Sequence, residues 1–404
     1  MRHVVASVLM VLVTCAGIGS AVAAEGTTFR TPASWQEAVD AAKSEQKFLF
    51  LDAYTDWCGW CKVMDRNTFS DSTVAAFMNQ HFVSVKIEME RGFGIDVAMR
   101  YRISSFPQFL VFTRDGRLVY RMYGYRPPAD FLPELRKALR PETQQVFAGI
   151  SSATAAPVYP SFLRDAFKPY KDRKMPSADT VEAWLVAQPN PYDEVVWTVL
   201  NRCAVSDAWE QWIVDRYDSL SVLYGQEVSQ RVYRTIYDRA GAAIKQGDDA
   251  QLTAILAKAP SQLPDHASVS AALWLQMHSA QQRWEKLMDR LASEYAAGTV
   301  DISVVNEHCW TVYEKCNDAS VVQAAISVMK PAMTASETEA DKAIAWGIWD
   351  TYAALQYKAG DLQGAEAAAT TAIARGEQEG VDAADLQPTR DLLAKIRSGI
   401  RSGK

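Results

Sequence analysis

The sequence predicts an α/β unit, a mixed sheet flanked by helices, followed by an all-α, helical-repeat-like region. Three observations carry this. Between about residues 34 and 140, segments of helical and strand period alternate in the order α-β-α-β-α-β-β-α. The first two strands of that series are joined through helices and should be parallel, whereas the last two are separated by a single turn and must be antiparallel. From about residue 161 onward the apolar periodicity is helical, with no convincing run of strands.

Taken in order, Ser34 and Glu37 stand at capping-box spacing before a helix whose apolar positions are Trp35, Ala38, Val39 and Ala42. The run from Lys47 to Ala53 is apolar except at Asp52 and reads as a strand buried on both faces. Cys58 to Asn67 and Asp71 to Gln80 are expected to be helical, Phe82 to Glu88 a strand, and Ile95 to Tyr101 a short helix. Gln108 to Thr113 and Leu118 to Tyr123 flank the turn Arg114–Arg117 and read as a hairpin. Ala129 to Leu139 closes the unit as a helix, with Pro133 expected in its first turn.

The 404 residues carry a formal net charge of −6, which argues against a nucleic-acid partner. Arg2, the apolar stretch Val4–Val13 and the small residues at Ala21–Ala24 have the pattern of a cleaved export signal. The expected organisation is therefore a signal peptide at 1–24, an α/β domain at 25–140 and a linker rich in Ser, Ala, Thr and Pro at 141–160. An all-α domain follows at 161–404. The expected location is the periplasm, with a lipid anchor on Cys15 as the lesser alternative. Within the helical region, Trp349, Ala353, Gly360, Asp361, Ala365 and Ala372 stand at tetratricopeptide spacing near 345–375, with a weaker echo at Ala240, Gly247 and Asp248.

Six cysteines are present. Removal of Cys15 with the leader leaves an odd number, so at least one thiol has no partner within the chain. Cys58 and Cys61 have the spacing that carries chemistry. They follow a buried strand and open a helix, where free N–H groups and the positive end of the helix dipole favour thiolate over thiol. In such motifs a thiol pKa falls from about 8.5 into a range of roughly 3.5–7.5. Cys58 would attack a substrate disulfide, and Cys61, deeper in the helix and expected to be less exposed, would resolve the mixed disulfide. Half of a zinc site and an inert structural disulfide fit this placement less well; no metal site and no cofactor beyond the disulfide itself are expected. Cys309 and Cys316 would lie two turns apart on one helix, a rise of about 10.5 Å and too far to pair. Buried, unpaired thiols are the expectation for them and for Cys203.

With these residues in hand, positions 34–140 resemble thioredoxin, and more closely the exported bacterial thioredoxin-like proteins that carry extra domains. Cys58-Gly59-Trp60-Cys61 stands where that family has Cys-Gly-Pro-Cys. The resemblance implies that Asp52 is the buried acid assisting proton transfer at the resolving cysteine, and that Lys86 lies close to it. It implies that Phe106-Pro107 forms the cis-proline loop beside the active site, and that Gly124 rims the substrate groove. On physical grounds a carboxylate in an apolar strand should have a raised pKa; Asp52 facing the surface and Lys86 as a solvated strand residue remain the plainer readings. Trp57 and Trp60 flank the thiol and offer apolar surface to a protein substrate. Trp60 in place of proline, and Gln108 in place of threonine, depart from thioredoxin and leave the redox direction open.

Two functions follow. One is a periplasmic thiol–disulfide oxidoreductase acting on protein disulfides, a reductase in the first instance and an oxidant or isomerase in the second. The resemblance implies a membrane-embedded thiol carrier as its electron donor. The other is an interaction protein whose helical domain binds a partner while the redox pair is a minor switch.

Overall fold

Phe48–Tyr54 is buried along its whole central run, and a strand with no exposed face must be interior to a sheet covered on both sides. The computed structural model, which describes residues 26–151, 157–335 and 345–402, places it there. With β1 (Phe29–Arg30), β2 (Phe48–Tyr54), β3 (Phe82–Glu88), β4 (Gln108–Phe112) and β5 (Leu118–Tyr123), the five-stranded order is β1-β3-β2-β4-β5. β2 pairs parallel with β3 and antiparallel with β4, and β4 and β5 form the expected hairpin. β1, parallel to β3 at the edge, was not anticipated; two residues are too few to show a period of 2. The predicted signal peptide and Cys15 lie outside the described residues, as does part of the predicted linker.

Helices α1 (Trp35–Glu45), α2 (Gly59–Val63), α3 (Ser72–His81), α4 (Gly94–Tyr101) and α5 (Pro128–Leu139) complete the unit. Ser34 caps α1 as its spacing predicts, accepting the Glu37 N–H at 3.2 Å. Glu37 returns to the N–H of Ala33 at 2.7 Å, one residue further out than the box predicts. Beyond α2 the chain widens into a π-helical turn, Met64–Thr68, so the predicted helix from Cys58 is two geometries in series. Pro133 sits in the sixth position of α5, not in its first turn as expected. Pro133 and Ala129 are both exposed, so water can satisfy the carbonyl that the proline deprives of a donor.

Aromatic side chains fill both faces of the sheet. On one, Phe50 stacks on Phe109 at 5.8 Å, and Phe69 and Phe131 meet both edge-on. On the other, Trp35, Tyr101 and Phe112 make a second cluster, with ring centroids 5.0–5.4 Å apart. Offset and edge-on pairs add to what area burial alone supplies.

The chain divides into two compact units. The first runs to Trp209 and includes Val222–Gly225. It therefore contains α6 (Ser161–Asp165), α7 (Ala178–Val186) and α8 (Glu194–Arg202) as well as the sheet. Buried Glu194 on α8 accepts the N–H of Ser151 at 2.9 Å, and Arg164 on α6 pairs with Asp96 on α4.

The second unit comprises Glu210–Ser221 and the helices from Gln226 onward, in which neighbours in sequence pack on one another. One pair is Ala345–Lys358 and Leu362–Glu379, joined through Gly360 at φ 85° and capped by Asp361. Ala353, Ala365, Ala368, Ala369 and Ala372 are buried there, which lets the two backbones approach closely. The weaker echo is also a helical hairpin, with Gly247 at φ 68° and Asp248 capping the next helix.

Candidate functional site

The end of β2 delivers the chain into Cys58, which is the N-cap of α2. Its sulfur accepts the backbone N–H of Cys61 at 3.0 Å. Cys58 and Cys61 form a disulfide with a Cα–Cα distance of 5.3 Å. Each residue is only 3% exposed, so the expected difference in exposure between them is absent in this oxidised state. The asymmetry lies in the hydrogen bonding. After reduction the Cys58 sulfur would still face the amide of Cys61 and the helix start, both of which favour its thiolate.

Asp52 is 1% exposed and lies on the central strand, opposite Lys86 in the parallel register. Lys86 Nζ is 2.9 Å from its Oδ2. Burial pushes the Asp52 carboxyl up to about 6, the charge of Lys86 only partly offsetting the cost. The surface-facing alternative for Asp52 therefore does not apply. Lys86 is not a freely solvated strand residue either. It also pairs with Asp65 and lies 5.0 Å from the Tyr54 ring centroid. Burial works to lower the Lys86 pKa, but Asp52 and Asp65 together leave it raised. Asp65 was not anticipated. It comes from the π-helical turn four residues after Cys61, and its spacing to Lys86 carries no local signal.

The rim is aromatic. Trp57 and Trp60 are 63% and 60% exposed, which is unusual for the largest apolar side chain. Trp57 meets Phe106 edge-on at 5.9 Å, and the Phe106–Pro107 peptide is cis. Pro107 carbonyl accepts the N–H of Gly124 at 2.9 Å, tying the proline loop to the end of β5, where Gly124 has φ 74°. Trp60 stacks on Tyr125 at 5.4 Å, a partner the sequence did not announce. The predicted residues Cys58, Trp57, Phe106, Pro107 and Gly124 are thus linked by direct contacts, and Cys61 joins them through the disulfide. Asp52 and Lys86 form a separate ion pair on β2 and β3.

Trp57 has one further contact: its Nε1–H donates to Glu90 Oε2 at 2.9 Å. Glu90 lies two residues after β3, is 4% exposed, and pairs through its other oxygen with Arg173 at 2.9 Å. Glu90, Arg91, Lys168, Arg173 and Lys174 help line a cavity of about 660 Å³ to which neither cysteine contributes.

Cys203, Cys309 and Cys316 are buried and free, as expected for Cys309 and Cys316 at their spacing. Burial pushes the Cys203 thiol up to about 11 and that of Cys309 to about 12, far from a reactive state. Among the described residues no group of three or more His, Cys, Asp or Glu side chains is placed to hold a metal ion.

A mixed sheet of this order, a disulfide at the head of the helix after β2, and a cis-proline loop that touches the tryptophan preceding the disulfide define a thioredoxin-like domain. The family model described as Thioredox_DsbH, a protein of unknown function (DUF255), matches residues 29–128. The thiol:disulfide interchange protein DsbD of Pseudomonas fluorescens is 30% identical over 91 residues, which are 22% of this chain and 16% of that protein. Thioredoxin-2 of Pyricularia oryzae is 36% identical over 93 residues, 23% of this chain and 50% of its own length. The chain thus spans at most half the length of these curated relatives. The solved structure of a thioredoxin from Thermus thermophilus is 26% identical, with a TM-score of 0.26, covering 28% of this chain and 87% of that one.

Proposed function

We propose that this chain is a periplasmic thiol–disulfide oxidoreductase that reduces or exchanges disulfides of protein substrates through Cys58 and Cys61. The single observation that carries the reading is Cys58 itself: its sulfur caps a helix and accepts an amide hydrogen bond. The Cys58 thiolate attacks one sulfur of a substrate disulfide, forming a mixed disulfide and releasing the other substrate sulfur as a thiolate. Cys61 then attacks Cys58, restores the intramolecular disulfide and frees the substrate as a dithiol. Asp52, with a pKa near neutrality, is suited to take the Cys61 proton during that second attack. The two electrons delivered must be returned by an external dithiol, in this reading a membrane-embedded thiol carrier. The disulfide is the redox carrier and no further cofactor is required.

Trp57 and Trp60 offer exposed aromatic surface on either side of Cys58, with Phe106 and Gly124 beside them, which suits a polypeptide better than a small molecule. The helical second unit, in this reading a repeat of tetratricopeptide type, recruits substrate or partner. In insulin reduction with a thiol donor, Cys58→Ser should abolish turnover, and Cys61→Ser should trap a mixed disulfide visible as a mass increase. Full activity of Cys58→Ser would refute the assignment.

A further inference from the structure

A tryptophan that is 63% exposed is free to rotate unless something holds it, and Trp57 is held at two points. One is the edge contact with Phe106; the other is the hydrogen bond from its indole N–H to Glu90. Glu90 is nearly inaccessible to water, and an ionised carboxylate there persists only if it is paired. Its partner is Arg173, which lies 45 residues beyond the stretch matched by the family model and is not part of the sheet domain. Arg173 is itself fixed, its Nε–H donating to the carbonyl of Lys168 at 3.1 Å. The two oxygens of Glu90 are thus divided between the indole and the guanidinium.

We infer that Arg173 is a positioning residue for the redox site, acting through Glu90 to hold Trp57 in the orientation that receives substrate. The inference rests on the proposed oxidoreductase activity and adds to it that the segment after the thioredoxin-like domain sets substrate affinity. Without Arg173, the Glu90 carboxylate loses the guanidinium that fixes it and is free to turn away, and the indole loses its fixed acceptor. Trp57 then samples several rotamers, and binding a substrate must freeze it again. An immobilised side chain of this kind changes affinity by roughly 2- to 10-fold. The effect belongs in KM, because neither sulfur is touched.

The test uses the full chain with Arg173→Met, Arg173→Lys, Trp57→Phe and the double variant Arg173→Met/Trp57→Phe. With ¹⁵N-tryptophan, the Trp57 indole N–H resonance is assigned by its disappearance in Trp57→Phe. It should move upfield in Arg173→Met and return toward its original position in Arg173→Lys. In insulin reduction, Arg173→Met should raise KM about 2- to 10-fold with kcat unchanged, and it should add nothing in the Trp57→Phe background. An unmoved indole resonance, or an equal effect of Arg173→Met with and without the Trp57 indole, would overturn the inference. The resonance is read without substrate, so an inactive wild-type chain would count against the oxidoreductase reading alone.

Discussion

A carboxyl on the central strand of an apolar sheet must be neutral, paired or both, and Asp52 is at the boundary between these states. Its folded pKa is about 6 against an unfolded value of 3.8. Between those values the unfolded chain has released a proton that the folded chain still holds. Stability is therefore greatest below the lower value, falls as pH rises, and has lost its full increment above the upper one. The shift corresponds to ~3 kcal/mol at most. Asp52→Asn is accordingly expected to stabilise the oxidised protein by up to ~3 kcal/mol near pH 8 in urea denaturation, with the gain vanishing below about pH 4. A gain of equal size at both pH values would show that ionisation is not its cause. The thiols make a second prediction at this scale. Iodoacetamide applied near pH 7 to the reduced native protein should alkylate Cys58, whose thiolate the Cys61 amide favours, and leave Cys203 and Cys309, whose thiols burial pushes up to about 11 and about 12, unmodified until denaturant is added; early labelling of Cys309 would contradict that difference in acidity. The partners that determine these properties were only partly legible. Cys58, Cys61 and Asp52 could be picked out because a closely spaced cysteine pair follows an apolar strand and a charge interrupts that strand, whereas Lys86 was marked only by the resemblance to thioredoxin. Asp65, Glu90 and Tyr125 could not, because each matters through a contact with a residue distant in sequence and has no local pattern of its own.

The elements that announce themselves are those whose residues share one environment. β2 and β4 are buried on both faces, and their apolar runs, interrupted by Asp52 in β2 and opened by Gln108 in β4, show it. β1 escapes because two residues have no period, and the π-helical turn after α2 escapes because its residues fit an ordinary helix equally well. Gly94 illustrates a constraint that spacing does not reveal. A Cβ there would lie 1.9 Å from the carbonyl oxygen of Glu88, so α4 can start where it does only because position 94 has no side chain. Gly94→Ala must displace backbone and should cost about 1–3 kcal/mol, read as a lower urea midpoint at unchanged slope. A neutral result would mean that the start of α4 can shift away from β3 freely.

At the scale of the molecule, the sheet domain does not end where its family match ends. Glu90 takes Arg173 and Asp96 takes Arg164, while Ser151 is held by Glu194, all within the first compact unit. A chain cut after Arg140 loses Arg173 and Arg164 together with the segment packed beside Glu90, so the sheet gives up both ion pairs and the burial around them. The truncated protein should therefore melt well below one that extends through Gly225; equal melting temperatures would show that the added helices lend the sheet no support. The linker rich in Ser, Ala, Thr and Pro gave no hint of this, because the anchoring side chains are isolated charges on either side of it.

The claim on which the rest depends is that Cys58 and Cys61 form a redox couple poised to reduce protein disulfides. The most direct test is the equilibrium reduction potential of that pair, measured on the full chain in a defined thiol buffer. The account predicts a value near about −270 mV, typical of a reducing thioredoxin. A value near about −120 mV, typical of a strong oxidant, would contradict the proposed direction of electron flow.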